Sequence, residues 1–323
     1  MILRLIELYV SLKARLQSEV LMAAVSVIGV PSDLGANMRG ANIGPAAVRI
    51  AGLHEKLLML GFAINECGDI AVPLRETLSL QEVKEKNQTS IRDLCSKLSE
   101  CVFQSLKNNQ KPIVLGGDHS QAIGTMSGVC RFAKEQNASV GLIWIDAHAD
   151  MNTPSTTHTG NIHGMPLSTL LGLGIDDLVR LDGFTPKVRP EHVALLGIRT
   201  LDSEEKELCK KSGVRYFTMR EIDERGMHAV MQEAIKVVTS GTMGFHLSFD
   251  LDGIDPLYAP GVSTPVTGGI SLREAHLALE MMADTQKLMS MEFVELNPMC
   301  DIEHKTARLV VDLIQSALGK SIL

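Results

Sequence analysis

Three apolar runs in this chain each end in residue types that bind divalent metal ions. Ile113-Val114-Leu115 leads into Gly116-Gly117-Asp118-His119. Leu142-Ile143-Trp144-Ile145 leads into Asp146-Ala147-His148-Ala149-Asp150. Phe245-His246-Leu247-Ser248-Phe249 leads into Asp250-Leu251-Asp252-Gly253-Ile254-Asp255. On a strand, side chains two apart share a face, so Asp146, His148 and Asp150 can converge, as can Asp250 and Asp252. On a helix the same spacing would splay them. Carboxylates packed against apolar strands are costly without a positive charge, and a metal cluster supplies one. The set of His119, His148, Asp146, Asp150, Asp250 and Asp252 contains no thiolate and suits a hard-to-borderline divalent ion. Manganese fits mixed His/Asp ligation, with iron or cobalt as substitutes. So many ligands exceed the needs of one ion and point to two ions sharing carboxylates. Taken singly, His119 reads more readily as a core or loop residue than as a ligand, and a strand-end Asp is often a helix N-cap. The recurrence at three strand ends is what favours metal.

The elements that must position these residues alternate along the chain. Apolar runs at Val25–Val30, Ile113–Leu115, Val140–Ile145, Val193–Ile198, Phe245–Phe249 and Met291–Val294 suit strands buried on both faces of a parallel sheet. Helical stretches are expected at Pro45–Leu60, Leu80–Lys107, Glu204–Lys211, Met227–Val238, Leu272–Met282 and Lys305–Leu318. The alternation predicts one α/β domain over residues 23–323, with a mostly parallel central sheet and helices on both faces. Two stretches break the rhythm. Residues 151–175 contain no Asp, Glu, Lys or Arg, and residues 256–271 are rich in Gly, Pro, Ser and Thr. Both follow strands that carry acidic clusters, where α/β proteins bind ligands.

Composition narrows the function classes. The 323 residues are 45% hydrophobic and 21% charged, an ordinary globular balance. A net charge of −7 disfavours a nucleic-acid partner. The sequence holds no apolar stretch of membrane-spanning length, so no membrane partner is expected. Cys67, Cys95, Cys101, Cys130, Cys209 and Cys300 are scattered, with no C-x-x-C pair. That pattern suits buried thiols in a reducing compartment, the cytoplasm. Residues 1–22 read as an N-terminal extension, a short amphipathic helix interrupted by Arg4, Glu7 and Lys13. Met22 leaves an upstream start codon and a lineage-specific extension equally open.

The motifs Gly116-Gly-Asp-His-Ser120, Asp146-Ala-His-Ala-Asp150 and Ser248-Phe-Asp-Leu-Asp-Gly-Ile-Asp-Pro256 resemble those of the ureohydrolase family, which includes arginase and agmatinase. The likeness runs from about Val25 to Leu318 and takes in residues 29–35 and Val294-Glu-Leu-Asn-Pro298. Within the family it is nearest to bacterial arginases. The resemblance implies two Mn2+ per subunit, one held by His119, Asp146, Asp150 and Asp250, the other by His148, Asp146, Asp250 and Asp252. Asp146 and Asp250 would bridge them. It further implies a hydrolase in which water, its pKa lowered from 15.7 toward about 7 by the two ions, attacks a guanidinium carbon. Asp150 would accept a proton, Glu295 would orient the guanidinium, and His163 would protonate the leaving amine. Without the family match, Glu295 reads as a surface ion-pair partner and His163 as a helix cap.

The same resemblance speaks to the substrate. Asn152, Thr159 and Asn161 match residues that address an α-carboxylate. Asp202 matches the partner of an α-ammonium, with Glu205 just beyond, and Thr264 is a further candidate contact. These favour L-arginine, cleaved to L-ornithine and urea. The alternatives are agmatine or another guanidino acid, and a metal-binding relative without turnover. Thr159 stands where many arginases carry Ser, keeping the hydroxyl but restricting χ1. His158 is a second departure. The resemblance also implies a homo-oligomer, trimer or hexamer; the chain ends at Leu323 without the longer tail of animal arginases, which fits the bacterial hexamer type.

Overall fold

The computed structural model describes residues 23–321, so the helix expected in residues 1–22 lies outside the described residues. Eight strands form one sheet: β1 (Ala24–Val30), β2 (Ala63–Asp69), β3 (Gln110–Gly116), β4 (Gly141–Ile145), β5 (Val193–Ile198), β6 (Arg215–Thr218), β7 (Phe245–Asp250) and β8 (Leu288–Val294). Their order is β2-β1-β3-β8-β7-β4-β5-β6, and every adjacent pair is parallel. The sheet is thus wholly parallel, where the sequence led us to expect mostly so. The principal helices are α1 (Gly44–Ile50), α2 (Leu53–Met59), α3 (Gln88–Lys107), α4 (Ala122–Glu135), α5 (Ser203–Ser212), α6 (Met227–Thr239), α7 (Leu272–Asp284) and α8 (Lys305–Ala317).

Alternation along each strand divides the core in two. Ile113, Leu115, Ile143, Ile145, Phe245, Leu247 and Phe249 pack with residues of α1, α2, α6, α7 and α8 on one face. Val114, Leu142, Trp144, Val193 and Leu195 pack with α3 and α4 on the other. Burial on both faces is why these strands read as continuous apolar runs.

Topology brings the motifs together. β8 and β7 fill the space between β3 and β4, so four strands that are distant in sequence lie side by side. Leu115 pairs with Phe293, Asp250 with Val294, and Ile145 with Phe249. Because all are parallel, their C-terminal ends open on one edge of the sheet, the usual ligand edge of such folds. Close packing there requires Gly117, since a Cβ would come within 2.6 Å of Val30 O.

Several expectations about elements are corrected. The helix expected at Pro45–Leu60 breaks at Gly52, whose φ of 95° is left-handed. The helix expected at Leu80–Lys107 breaks at Lys86 and Asn87, with φ of 55° and 60°. β2 and β6 were not expected; they are the two edge strands, short or half exposed, and lack the apolar signature. Helix α4 was not singled out either. The cysteines divide: Cys95, Cys130 and Cys209 are buried as expected, but Cys67 and Cys300 are exposed.

Candidate active site

The ligand-bearing residues converge through turns, not through the strand pleat that the sequence suggested. β4 ends at Ile145, so Asp146 to Asp150 lie beyond it, and Asp252 lies in a single helical turn after β7. The same local device operates at all three strand ends. Asp118 Oδ1 accepts from Ser120 N at 3.0 Å, Asp146 Oδ1 from His148 N at 2.7 Å, and Asp250 Oδ1 from Asp252 N at 2.8 Å. In each case a short side chain bonds the backbone two residues on and folds the chain back over the strand end. Asp150 completes the set from a left-handed conformation, φ 52°.

The result is a packed ring of ligand atoms. His119 Nδ1 lies 3.4 Å from Asp146 Oδ2, 3.0 Å from Asp150 Oδ2 and 3.1 Å from Asp250 Oδ2. His148 Nδ1 lies 3.4 Å from Asp146 Oδ1 and 3.1 Å from Asp252 Oδ2. His119, Asp146 and Asp250 form one group with metal-ligand spacing; Asp146, His148 and Asp252 form another, so Asp146 belongs to both. His119 Nδ1 and Asp150 Oδ2 are buried, yet neither has an aligned hydrogen bond. One imidazole N–H cannot satisfy three carboxylates, whereas a cation among them can. The donor set of imidazole and carboxylate, without thiolate, fits a divalent ion of the manganese, iron or cobalt type. These residues therefore fit a two-ion centre.

Electrostatics carries the same message. Burial first, then repulsion from Asp252 and Asp146, holds the Asp250 carboxyl well above its usual range. Burial and Asp146 push Asp150 up to about 6. Burial acts to lower both imidazoles, but the carboxylates around His119 raise it well above its ordinary value, and Asp252 and Asp146 carry His148 up to about 12. The cluster on its own holds extra protons, the behaviour of anions gathered without enough positive charge.

The rest of the sheet fixes the ring. Trp144 Nε1 donates to Asp146 Oδ2 at 2.9 Å, and its ring stacks on His119 with centroids 4.1 Å apart. His119 Nε2 meets Ser248 Oγ at 2.9 Å, which donates to Glu292 Oε1 at 2.8 Å. Glu292 is wholly buried and also accepts from Thr125 Oγ1 at 2.7 Å. Such partners set ring orientation and tautomer. Sequence reading missed Trp144, Ser248 and Glu292; their position two residues before, or beside, a ligand strand end was the available signal. His246 joins the Glu292 network directly, its Nε2 3.4 Å from Glu292 Oε1, with its Nδ1 2.8 Å from Ser290 Oγ.

Glu295 and His163 are also brought to this edge. Glu295 follows β8 with φ 63°; its Oε1 accepts from His119 N at 2.8 Å and meets His163 Nδ1 at 3.0 Å. Glu295 Oε2 is buried without a hydrogen-bond partner among the described residues, an unsatisfied acceptor, although Glu295 does not line the cavity above the ring. Burial acts downward on His163, but Glu295 outweighs it and raises the imidazole to about 9.

A cavity of about 250 Å3 opens above the ring. Asp150, Asp202, Glu205, Asp250 and Asp252 line it, and no Lys or Arg does, so it favours a small cation. At its mouth Asn152 Nδ2 donates to Asp202 Oδ2 at 3.3 Å. Thr159 lines the cavity, its Oγ1 accepting from Asn161 N at 3.1 Å, while Asn161 sits behind it and not in the lining. Glu205 and Thr264, expected as substrate contacts, both line the cavity and also make internal hydrogen bonds. Glu205 accepts from Met151 N at 3.0 Å and Asp202 N at 3.3 Å, bracing the loop against α5, and burial with nearby Asp150 raises it to about 7. Thr264 Oγ1 donates to Asp252 Oδ2 at 3.0 Å.

Comparison with known proteins agrees with this arrangement. The arginase of Brevibacillus brevis is 48% identical over 299 residues, 93% of this chain and 99% of that one. The native arginase structure from Bacillus caldovelox superposes with a TM-score of 0.89 at 45% identity, covering 94% of this chain and 100% of that one. A hypothetical agmatinase from Burkholderia thailandensis shares the fold at a TM-score of 0.68 and 23% identity, covering 92% and 84%. The arginase-family profile matches residues 23–319, and the chain belongs to the arginase family.

Proposed function

We propose that this chain hydrolyses L-arginine to L-ornithine and urea with two manganese ions. The observation that carries this reading is the acidic cavity set directly over the two ligand groups, in a chain whose similar relatives are arginases. One ion is assigned to His119, Asp146, Asp150 and Asp250, the other to His148, Asp146, Asp250 and Asp252. When bound, the pair supplies the nucleophile by lowering the pKa of water from 15.7 toward about 7.

The chain's own residues do the rest. Glu295 Oε2 takes a guanidinium N–H and holds the group in line for attack. Asp150 accepts the proton released there. His163, charged at neutral pH beside Glu295, protonates the leaving amine. Asp202 faces the α-ammonium, and Asn152 and Thr159, backed by Asn161, face the α-carboxylate. Glu205 and Thr264 act by holding Met151, Asp202 and Asp252 in place. We read the working form as a cytoplasmic homo-oligomer, a trimer or hexamer. The six unpaired cysteines support a reducing compartment. Among the described residues no helix is long and apolar enough to cross a membrane.

The test is urea release by manganese-loaded protein given L-arginine and agmatine in parallel. Urea from L-arginine with little from agmatine is expected. The reverse preference would overturn the substrate reading, and urea from neither would overturn the hydrolase reading.

A further inference from the structure

The cavity that suits a guanidinium and an ammonium is a poor place for a carboxylate. Five acidic side chains line it, and the loop over residues 151–175 holds no Lys or Arg, its one imidazole in the lining, His163, being paired with Glu295. Asn152 and Thr159 supply neutral hydrogen bonds but no charge. Arg199, close to Asp252, has both terminal nitrogens engaged with carbonyls, donating to Gly197 O, Asp252 O, Gly253 O and Val266 O.

An ammonium reaches the loop from elsewhere. Lys86 Nζ donates to Asn161 Oδ1 at 3.4 Å, and its stem lies along Gly160, where a Cβ would meet Lys86 Cε at 3.1 Å. The backbone presents this side chain from an uncommon conformation. Lys86 and Asn87 are consecutive left-handed residues between the Leu80–Lys84 helix and α3. Asn87 is buried and anchors the kink by donating from Nδ2 to Leu34 O at 2.8 Å. Strain of this kind persists where the surroundings enforce it, and here it places the ammonium against Asn161, behind the Thr159 wall of the cavity.

The chemistry of the contact is directional. An ammonium only donates, so it holds Asn161 Oδ1 toward itself. Asn161 Nδ2 is left without a hydrogen-bond partner among the described residues, and the Asn161 backbone N–H in turn fixes Thr159 Oγ1. We propose that Lys86 is a specificity-determining residue: it orients Asn161 and gives the carboxylate end of an acidic pocket a positive charge, favouring guanidino acids over guanidino amines. The inference rests on the reading of the cavity as a guanidino-substrate site.

The test compares wild type, Lys86→Met and Lys86→Arg as manganese-loaded full chains, with L-arginine and agmatine. Removing one partly exposed charge should raise the KM for L-arginine about fivefold while kcat stays nearly constant. The kcat/KM for agmatine should hold or rise, Lys86→Arg should restore the low KM, and the wild-type KM should climb with salt more steeply than that of Lys86→Met. An unchanged KM in Lys86→Met, or an equal loss on both substrates, overturns the proposal. Calorimetry with L-ornithine and putrescine separates it from the hydrolase reading, because it needs no turnover. Lys86→Met should weaken L-ornithine and leave putrescine alone; equal effects on both overturn the proposal even if urea is released.

Discussion

At the floor of the cavity, Asp146 and Asp250 are held by backbone N–H groups of their own turns, and Asp146 also by the indole of Trp144. At the mouth, Asn152 is held by other side chains, donating to Asp202 and accepting from Thr156 Oγ1 at 2.9 Å. The floor inherits its geometry from four adjacent parallel strands; the mouth depends on a loop that folds upon itself. Backbone-fixed groups lose little entropy when a ligand arrives, whereas a loop of hydroxyls and amides can be retuned without moving the sheet. Metal binding and substrate choice should therefore be separable by mutation.

The largest expected effect is at the floor. Asp146→Asn removes a carboxylate that both ligand groups share. Outer partners of metal ligands cost about 10–100-fold, so this change should lower metal affinity and kcat/KM by more than about a hundredfold. Metal analysis beside steady-state kinetics checks it, and normal turnover would break the assignment. Glu295→Gln comes next: metal content should stay, while kcat falls by about a hundredfold through lost orientation. A parallel loss of metal would place Glu295 with the floor instead.

At the mouth the effects shrink. Asn152→Ala should raise the KM for L-arginine by about tenfold, the worth of one hydrogen bond to a charged group, with metal content unchanged. The smallest concerns pH. The His163 imidazole rises from 6.5 to about 9 on folding, so the stability that its pairing with Glu295 contributes is full below about 6.5 and is lost as pH rises through about 9. The Tm gap between wild type and His163→Asn should accordingly narrow from pH 7 to pH 10. A gap that widens over that interval would mean the pair is not charged.

The floor was the more legible part of the sequence. Ligand types at three strand ends, and apolar runs without alternation, announce a parallel sheet with a metal edge. Which face each Asp presents was not legible, because turns set it after the strand has ended. The edges were missed for a different reason: β2, reading Ala-Ile-Asn-Glu-Cys-Gly-Asp, is half solvated and so carries no buried-strand pattern. Glu292 was invisible because its tie to the floor spans Ser248 and Thr125, distant in sequence and joined only by the insertion of β8 between β3 and β7. At the mouth, Glu205 and Thr264 line the cavity as residue type suggested, but their hydrogen bonds could not be read from type. A carboxylate and a hydroxyl suited to substrate are engaged by backbone N–H groups and by Asp252.

The most direct test of the floor is a calorimetric titration of Mn2+ into metal-free protein, repeated in buffers of different ionisation enthalpy. Two ligand groups that hold extra protons predict two ions bound per chain with net proton release near neutral pH. Binding of one ion only, or binding without proton release, would contradict the account.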